Sequence, residues 1–322
     1  MRHDLVAAIL TTASLCAAGA AHAQTYPAKP VRLIIATPPG GGTDLLGRLF
    51  GPRLADRLGQ PFIADNRGGA GGNIAAEAVA KAPPDGHTLL VTNMQLTATA
   101  AMEASLPFDV LKDLAPVGLI GRQAIVMGVH PGVPAKSVRE FAALVRASPG
   151  KYSFTSCGQG TPLHLAGELF NISARLDLTH IPYKGCGPAL LDVVSGQVPA
   201  FFTIIGNAVP YEKAGKLRIL GVASLQRLPG YPDMPTIAEA GYQGFEAFPW
   251  FGIFAPAGTP GEVVAKLNAE ITAAVQDRDI AEKLRGMQFE PATATAAGFA
   301  DIVRLDLERW TRVVREAKIK AQ

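Results

Sequence analysis

Two hydrophobic rhythms alternate along this chain. Val31-Arg32-Leu33-Ile34-Ile35 is a short apolar run of the kind that forms a buried strand. After it, Leu45, Leu46, Leu49, Phe50, Leu54 and Leu58 recur at helical spacing as far as Gly59. Between them lies Ala36-Thr37-Pro38-Pro39-Gly40-Gly41-Gly42-Thr43-Asp44, so three glycines sit where strand becomes helix. Thr43 or Asp44 is expected to cap that helix and Gly59 to end it. The same sequence of strand, glycine turn and helix returns. Phe62-Ile63-Ala64 leads through Asp65-Asn66-Arg67-Gly68-Gly69-Ala70-Gly71-Gly72 into a helix over 74–82, with Asn73 as its expected cap. Residues 152–156 lead through Cys157-Gly158-Gln159-Gly160 to Thr161, a good cap, and Pro162, which suits the first helical position. Residues 178–183 lead through Lys184-Gly185-Cys186-Gly187 to a helix opened by Pro188. Residues 88–92 add a further strand, ending at Thr92.

This alternation predicts an α/β fold of mainly parallel sheets flanked by helices. Ligands in such sheets bind beyond the carboxyl ends of the strands, which is where the glycine turns fall. A helix start offers bare N–H groups and a positive dipole end, so each turn is a candidate anion site. Extended stretches near 117–129 and 248–254 predict two crossings between two lobes. Lobe one is expected to take 24–124 plus 251–322, and lobe two 125–250. The last helices, over 260–275 and 296–317, are expected to cover lobe one.

The first 23 residues stand apart from this pattern. Arg2, a short apolar core and Ala21-His22-Ala23 predict a signal peptide cleaved after Ala23, hence an exported, periplasmic protein. No other segment is long and apolar enough to predict a membrane span. The formal net charge is +3, with no run of Lys or Arg, which argues against nucleic acid as a partner. The mature chain keeps Cys157 and Cys186, both on turns of lobe two. In an oxidising compartment they form either a disulfide or two buried thiols.

Rival chemistries find little support. A phosphate-binding P-loop needs Lys and Ser/Thr after its last glycine, whereas Gly42 is followed by Thr43-Asp44. The dinucleotide fingerprint fails at Ile74. Ser156 and His164 could begin a catalytic triad, but they lack the Gly-x-Ser-x-Gly elbow. The six histidines show no metal-ligand spacing. No catalysis, cofactor or metal is therefore expected.

An ordered set of motifs now carries a resemblance. Besides the first two glycine turns it includes Pro84-Asp85-Gly86-His87-Thr88-Leu89-Leu90, His164-Leu165-Ala166-Gly167-Glu168-Leu169-Phe170 and Pro182-Tyr183-Lys184-Gly185. Further on come Ala214-Gly215-Lys216-Leu217-Arg218, Trp250-Phe251-Gly252 and Ala255-Pro256-Ala257-Gly258-Thr259-Pro260. Together they resemble the substrate-binding proteins of tripartite tricarboxylate transporters, the Bug family of periplasmic proteins. The resemblance implies a periplasmic-binding-protein type II-like fold, two lobes closing on a small di- or tricarboxylate in the manner of a Venus flytrap, with membrane permease subunits as partners. It implies a site by motif position: Pro39, Gly41, Gly42, Thr43, Asp44, Gly71, Gly72 and Asn73 in lobe one, with Thr92 and Asn93 on the floor. In lobe two it implies Ser156, Gly158, Thr161, His164, Lys184 and Gly185, with Thr203 where many members carry an aspartate. That change disfavours an amino-acid ligand. Plainer roles stay open: Asp44 as a dipole partner, His164 as a local cap and Lys184 as a solvated loop lysine. A monomer is expected. The alternatives to transport are a periplasmic sensor that presents its closed form to a receptor and, more remotely, a hydrolase.

Overall fold

In the computed structural model, residues 26–103 and 105–319 are described, so the expected signal peptide lies outside them. The chain opens with β1 (Val31–Ile35), α1 (Gly42–Leu58), β2 (Phe62–Asn66), α2 (Asn73–Ala80), β3 (Thr88–Asn93), α3 (Gln95–Met102) and β4 (Leu114–Arg122). It continues through β5 (Ile125–Val129), α4 (Val138–Ala147), β6 (Ser153–Ser156), α5 (Pro162–Ala174), β7 (Thr179–Pro182), α6 (Cys186–Val194), β8 (Ala200–Ile204), α7 (Ile205–Lys213) and β9 (Arg218–Val222). It closes with β10 (Trp250–Pro256), α8 (Gly261–Gln276), α9 (Arg278–Gly286) and α10 (Ala296–Glu316).

Two five-stranded sheets result, β2-β1-β3-β10-β4 and β7-β6-β8-β5-β9. Each is mixed: β2-β1-β3 and β7-β6-β8 pair in parallel, whereas β10 and β5 run antiparallel to both of their neighbours. The antiparallel members are the strands entered directly from a crossing. Such a strand arrives at the opposite end of its sheet from one fed by a glycine turn and a helix. The two crossings touch where Gln123 N–H donates to Pro249 O at 2.9 Å.

Periodicity explains the layers. Leu46, Phe50 and Leu54 of α1 are fully buried together with Val31, Leu33 and Ile35 of β1. The strongly amphipathic α10 buries Phe299, Val303, Trp310 and Val313. It packs on α3 and β4 but also touches α5, so it bridges both lobes instead of covering lobe one alone. Its length, 21 residues, lets one apolar stripe serve both. Accordingly one apolar cluster runs from Leu90 and Phe254 to Phe154 and Phe202. Beside the crossings, Asp306 of α10 accepts from Trp250 Nε1 at 2.7 Å, while Arg309 reaches Asp306 and Glu246.

Candidate functional site

The first glycine turn leaves its helix start open. The N-cap of α1 is Gly41, and no side chain caps it, so the leading N–H groups have no partner within the helix. The expected caps lie one turn too deep. Thr43 is buried inside α1, its Oγ1 3.5 Å from Asn93 Nδ2. Asp44 Oδ2 accepts from Gly40 N–H, and its Oδ1 accepts from Arg48 Nε and Asn66 Nδ2, all at 2.9 Å. Burial alone would raise this acid, but those bonds outweigh it and hold it below the usual carboxylate value. Asp44 therefore fastens the turn to its own lobe, the dipole-side role, and its carboxylate is engaged by three donors. Pro39 is exposed on the outer part of the loop.

The second turn behaves similarly. Gly71 has φ +62°, and a Cβ there would lie 2.6 Å from Thr99 Oγ1, so only glycine fits. The N-cap of α2 is Gly72, again without a side-chain cap. Asn73, expected to cap, is already helical; its Nδ2 donates to Glu103 Oε1 at 3.2 Å. Since a carboxylate only accepts, that bond fixes the amide orientation. It leaves Asn73 Oδ1 buried without a partner, as is Thr37 Oγ1. Thr92 is buried at the end of β3, and Asn93 Oδ1 accepts from Gln95 N–H.

In lobe two the donors are mostly engaged. Ser156 Oγ lies 2.8 Å from His180 Nε2 and also accepts from Gly158 N–H. Gly160 N–H donates to His164 Nδ1 at 3.0 Å. Thr161 Oγ1 accepts from His164 N–H as the expected cap and donates to Gly158 O at 2.7 Å. The His164 ring stacks on His180 at 3.9 Å between centroids, and its Nε2 sits 3.6 Å from Glu168 Oε1. His164 is thus a buried support for the turn, not an outward-facing donor. Burial, helped by neighbouring His164, pulls His180 down to about 3, so its ring is neutral at any ordinary pH.

The adjoining turn is locked to the first. Cys157 and Cys186 form a disulfide, and Gly185 N–H donates to Cys157 O at 3.0 Å. Thr203, buried at the end of β8, lies 4.0 Å from Cys157 Sγ. Gly185 is the N-cap of α6, with no side-chain cap. Lys184 beside it is exposed.

Gln95, absent from the sequence-based set, joins the two halves. Its Nε2 donates to Thr99 Oγ1 at 3.0 Å and, across the lobes, to Gly160 O at 3.1 Å. Gly160 has φ +71°, and a Cβ there would meet Met102 Cε at 2.8 Å, so the lobe-two turn rests directly on α3. The β3–α3 junction has no glycine to flag it; Asn93-x-Gln95 after a strand was the only signal.

The profile of the tripartite tricarboxylate transporter family receptor, TctC, matches residues 47–319. The chain belongs to this family. Protein BugT of Bordetella pertussis is 37% identical over 302 residues, which is 92% of this chain and 93% of BugT. R. palustris Rpa4515, solved with adipate, is 34% identical with a TM-score of 0.75, over 92% of this chain and 99% of that one. MatC of Rhodopseudomonas palustris, solved with bound malate, is 35% identical with a TM-score of 0.71, over 90% and 100%. These likenesses run through both sheets. As a TctC-family receptor the protein is a solute-binding protein with a two-lobe fold, not an enzyme.

Proposed function

We propose that this TctC-family receptor is exported to the periplasm after cleavage behind Ala23, captures a small di- or tricarboxylate between its lobes as a monomer, and delivers it to the membrane permease of a tripartite tricarboxylate-type transporter. The observation that carries this reading is the meeting of glycine-turn helix starts from both sheets, joined by the Gln95–Gly160 bond. The sheet memberships support lobes of 24–124 plus 251–322 and of 125–250. The carboxylates rest on the leading N–H groups of α1 behind Gly41, Gly42 and Thr43, and of α2 behind Gly71, Gly72 and Asn73. The turn at Lys184 and Gly185 supplies a cation and the open start of α6 from the other side. Each such helix end stabilises an anion by about 0.3–2 kcal/mol, so the three starts together contribute about 1–6 kcal/mol towards the roughly 8 kcal/mol of micromolar binding, and Lys184 and side-chain hydrogen bonds supply the rest. The unpartnered Thr37 Oγ1 and Asn73 Oδ1 support a hydroxyl-bearing or hydrated ligand. Ser156, Gly158, Thr161, His164 and Thr203 shape the lobe-two turn from behind.

Adipate, malate and other di- and tricarboxylates are tested by thermal shift and calorimetry on the mature protein. A saturable Tm increase with at least one of them is expected, because a ligand that binds only the folded state stabilises it by mass action. If no carboxylate binds, the reading fails.

A further inference from the structure

A second cavity lies beside the cleft, with a volume of about 540 Å³. That is within the range of about 300–1,000 Å³ usual for small-molecule sites. Its walls come from both lobes: Lys213 and Tyr231 from one, Arg285, Gln288, Phe289 and Glu290 from the other. Its wall residue Phe289 packs on the first glycine turn, where a Cβ on Gly42 would lie 3.3 Å from Phe289 Cζ. The Gln288 side chain packs on Gly206, whose Cβ would lie 2.7 Å from Gln288 Cγ.

Two cations face this cavity, one from each lobe. Lys213 closes the last turn of α7 and Arg285 the last turn of α9. Helix C-termini favour cations, which accounts for each residue separately. It does not account for both lining one cavity. Among the described residues neither side chain has a carboxylate or hydrogen-bond partner, and Glu290 is the sole acid on the wall.

We propose that this cavity is a second binding site, for a compact oxyanion with two negative charges that bridges Lys213 and Arg285. An anion lodged in the cavity is drawn by both cations at once. Because they belong to different lobes, such an anion favours one interlobe arrangement and is thereby coupled to binding in the cleft. The Glu290 carboxylate opposes the anion by like-charge repulsion.

Inorganic phosphate is the probe, with chloride at matched ionic strength as the control, in thermal shift and calorimetry on the mature protein. Saturable stabilisation by phosphate beyond chloride is expected, with a Tm rise of about 2–4 °C. The pair Lys213→Gln and Arg285→Gln weakens phosphate binding at least about tenfold, and Glu290→Gln tightens it. The double variant keeps its carboxylate binding, which separates this proposal from the function proposed for the cleft. No saturable effect beyond chloride overturns the proposal. So does equal stabilisation of the double variant, since phosphate then sits at the glycine turns.

Discussion

The glycine turns of the two lobes look alike in sequence and are finished differently in space. In lobe one, α1 and α2 begin at Gly41 and Gly72 with no side-chain cap, and the polar groups around them fasten the loops from below through Asp44, Arg48 and Asn66. In lobe two, the turn after β6 is internally saturated by Ser156, Thr161 and His164 and welded to its neighbour by a disulfide. Away from the glycine turns, α4, α9 and α10 are capped by Ser137, Asp277 and Thr295, whereas α8 starts uncapped behind Pro260. Leaving out a side-chain cap leaves orphan N–H groups, and with glycine at the N-cap the loss is only about a few tenths of a kcal/mol per helix. Lobe one thus presents two open helix starts, whereas lobe two joins one saturated turn by a disulfide to the single open start of α6.

The largest test removes the weld. The double variant Cys157→Ser and Cys186→Ser opens a loop with a sequence separation of 29 residues. The chain-entropy view gives a loss of about 3–4 kcal/mol, a Tm drop on the order of 10 °C. Carboxylate affinity falls as well, because the turn must then be ordered on binding. An unchanged Tm and affinity would show that the hydrogen bonds alone make lobe two rigid, and the contrast between lobes would lose its main cause.

The sequence made the architecture legible because its signals are local. The helical spacing in α1, Thr161-Pro162 at the start of α5 and Gly59 in the left-handed conformation after α1 lie where expected. Caps are not legible from residue type where glycine itself opens the helix: Thr43, Asp44 and Asn73 each sit inside the helix, behind Gly41 or Gly72. Residue type announced the polarity of Asp44, Ser156 and His164 but not its direction. Their partners Asn66, His180 and Glu168 come from other elements or the next helical turn. The one antiparallel strand in each mainly parallel sheet is not legible for a similar reason, since its direction is decided by the crossings and not by local pattern.

A second test uses pH, to which the lobes respond in opposite senses. Burial pushes Asp306 up to about 6, partly opposed by Arg309 and Trp250. Its folded value lies above its unfolded one, so the stability it contributes is complete below about pH 4 and is lost as pH rises through about 6. The loss is on the order of 2–3 kcal/mol. His180 is the reverse: its folded value lies below the ordinary 6.5, so its contribution is full above that pH and lost as pH falls. Chemical denaturation across pH should therefore show Asp306→Asn more stable than the parent at about pH 8 and equal to it near pH 4. His180→Gln should flatten the acid limb alone. Profiles parallel to the parent in both variants would remove this distinction.

The smallest effect probes the seam. Gln95→Ala deletes the one interlobe hydrogen bond described here between the glycine-turn regions, together with the intrahelical bond to Thr99. A neutral hydrogen bond contributes about 0.5–1.5 kcal/mol net, so Tm should fall by only a few degrees. If Gln95 holds the lobe-two turn against the lobe-one donors, carboxylate Kd should rise by roughly 2–10-fold. Gln95→Glu sharpens the result. It keeps the length but replaces the Nε2 donor with a carboxylate facing Gly160 O and the bound anion, so its affinity loss should exceed that of the alanine variant. Calorimetry with the tightest carboxylate decides the matter. Equal Kd values for the parent and both variants would mean that the open donors of lobe one bind without help from the rigid turn, and that the seam is packing alone.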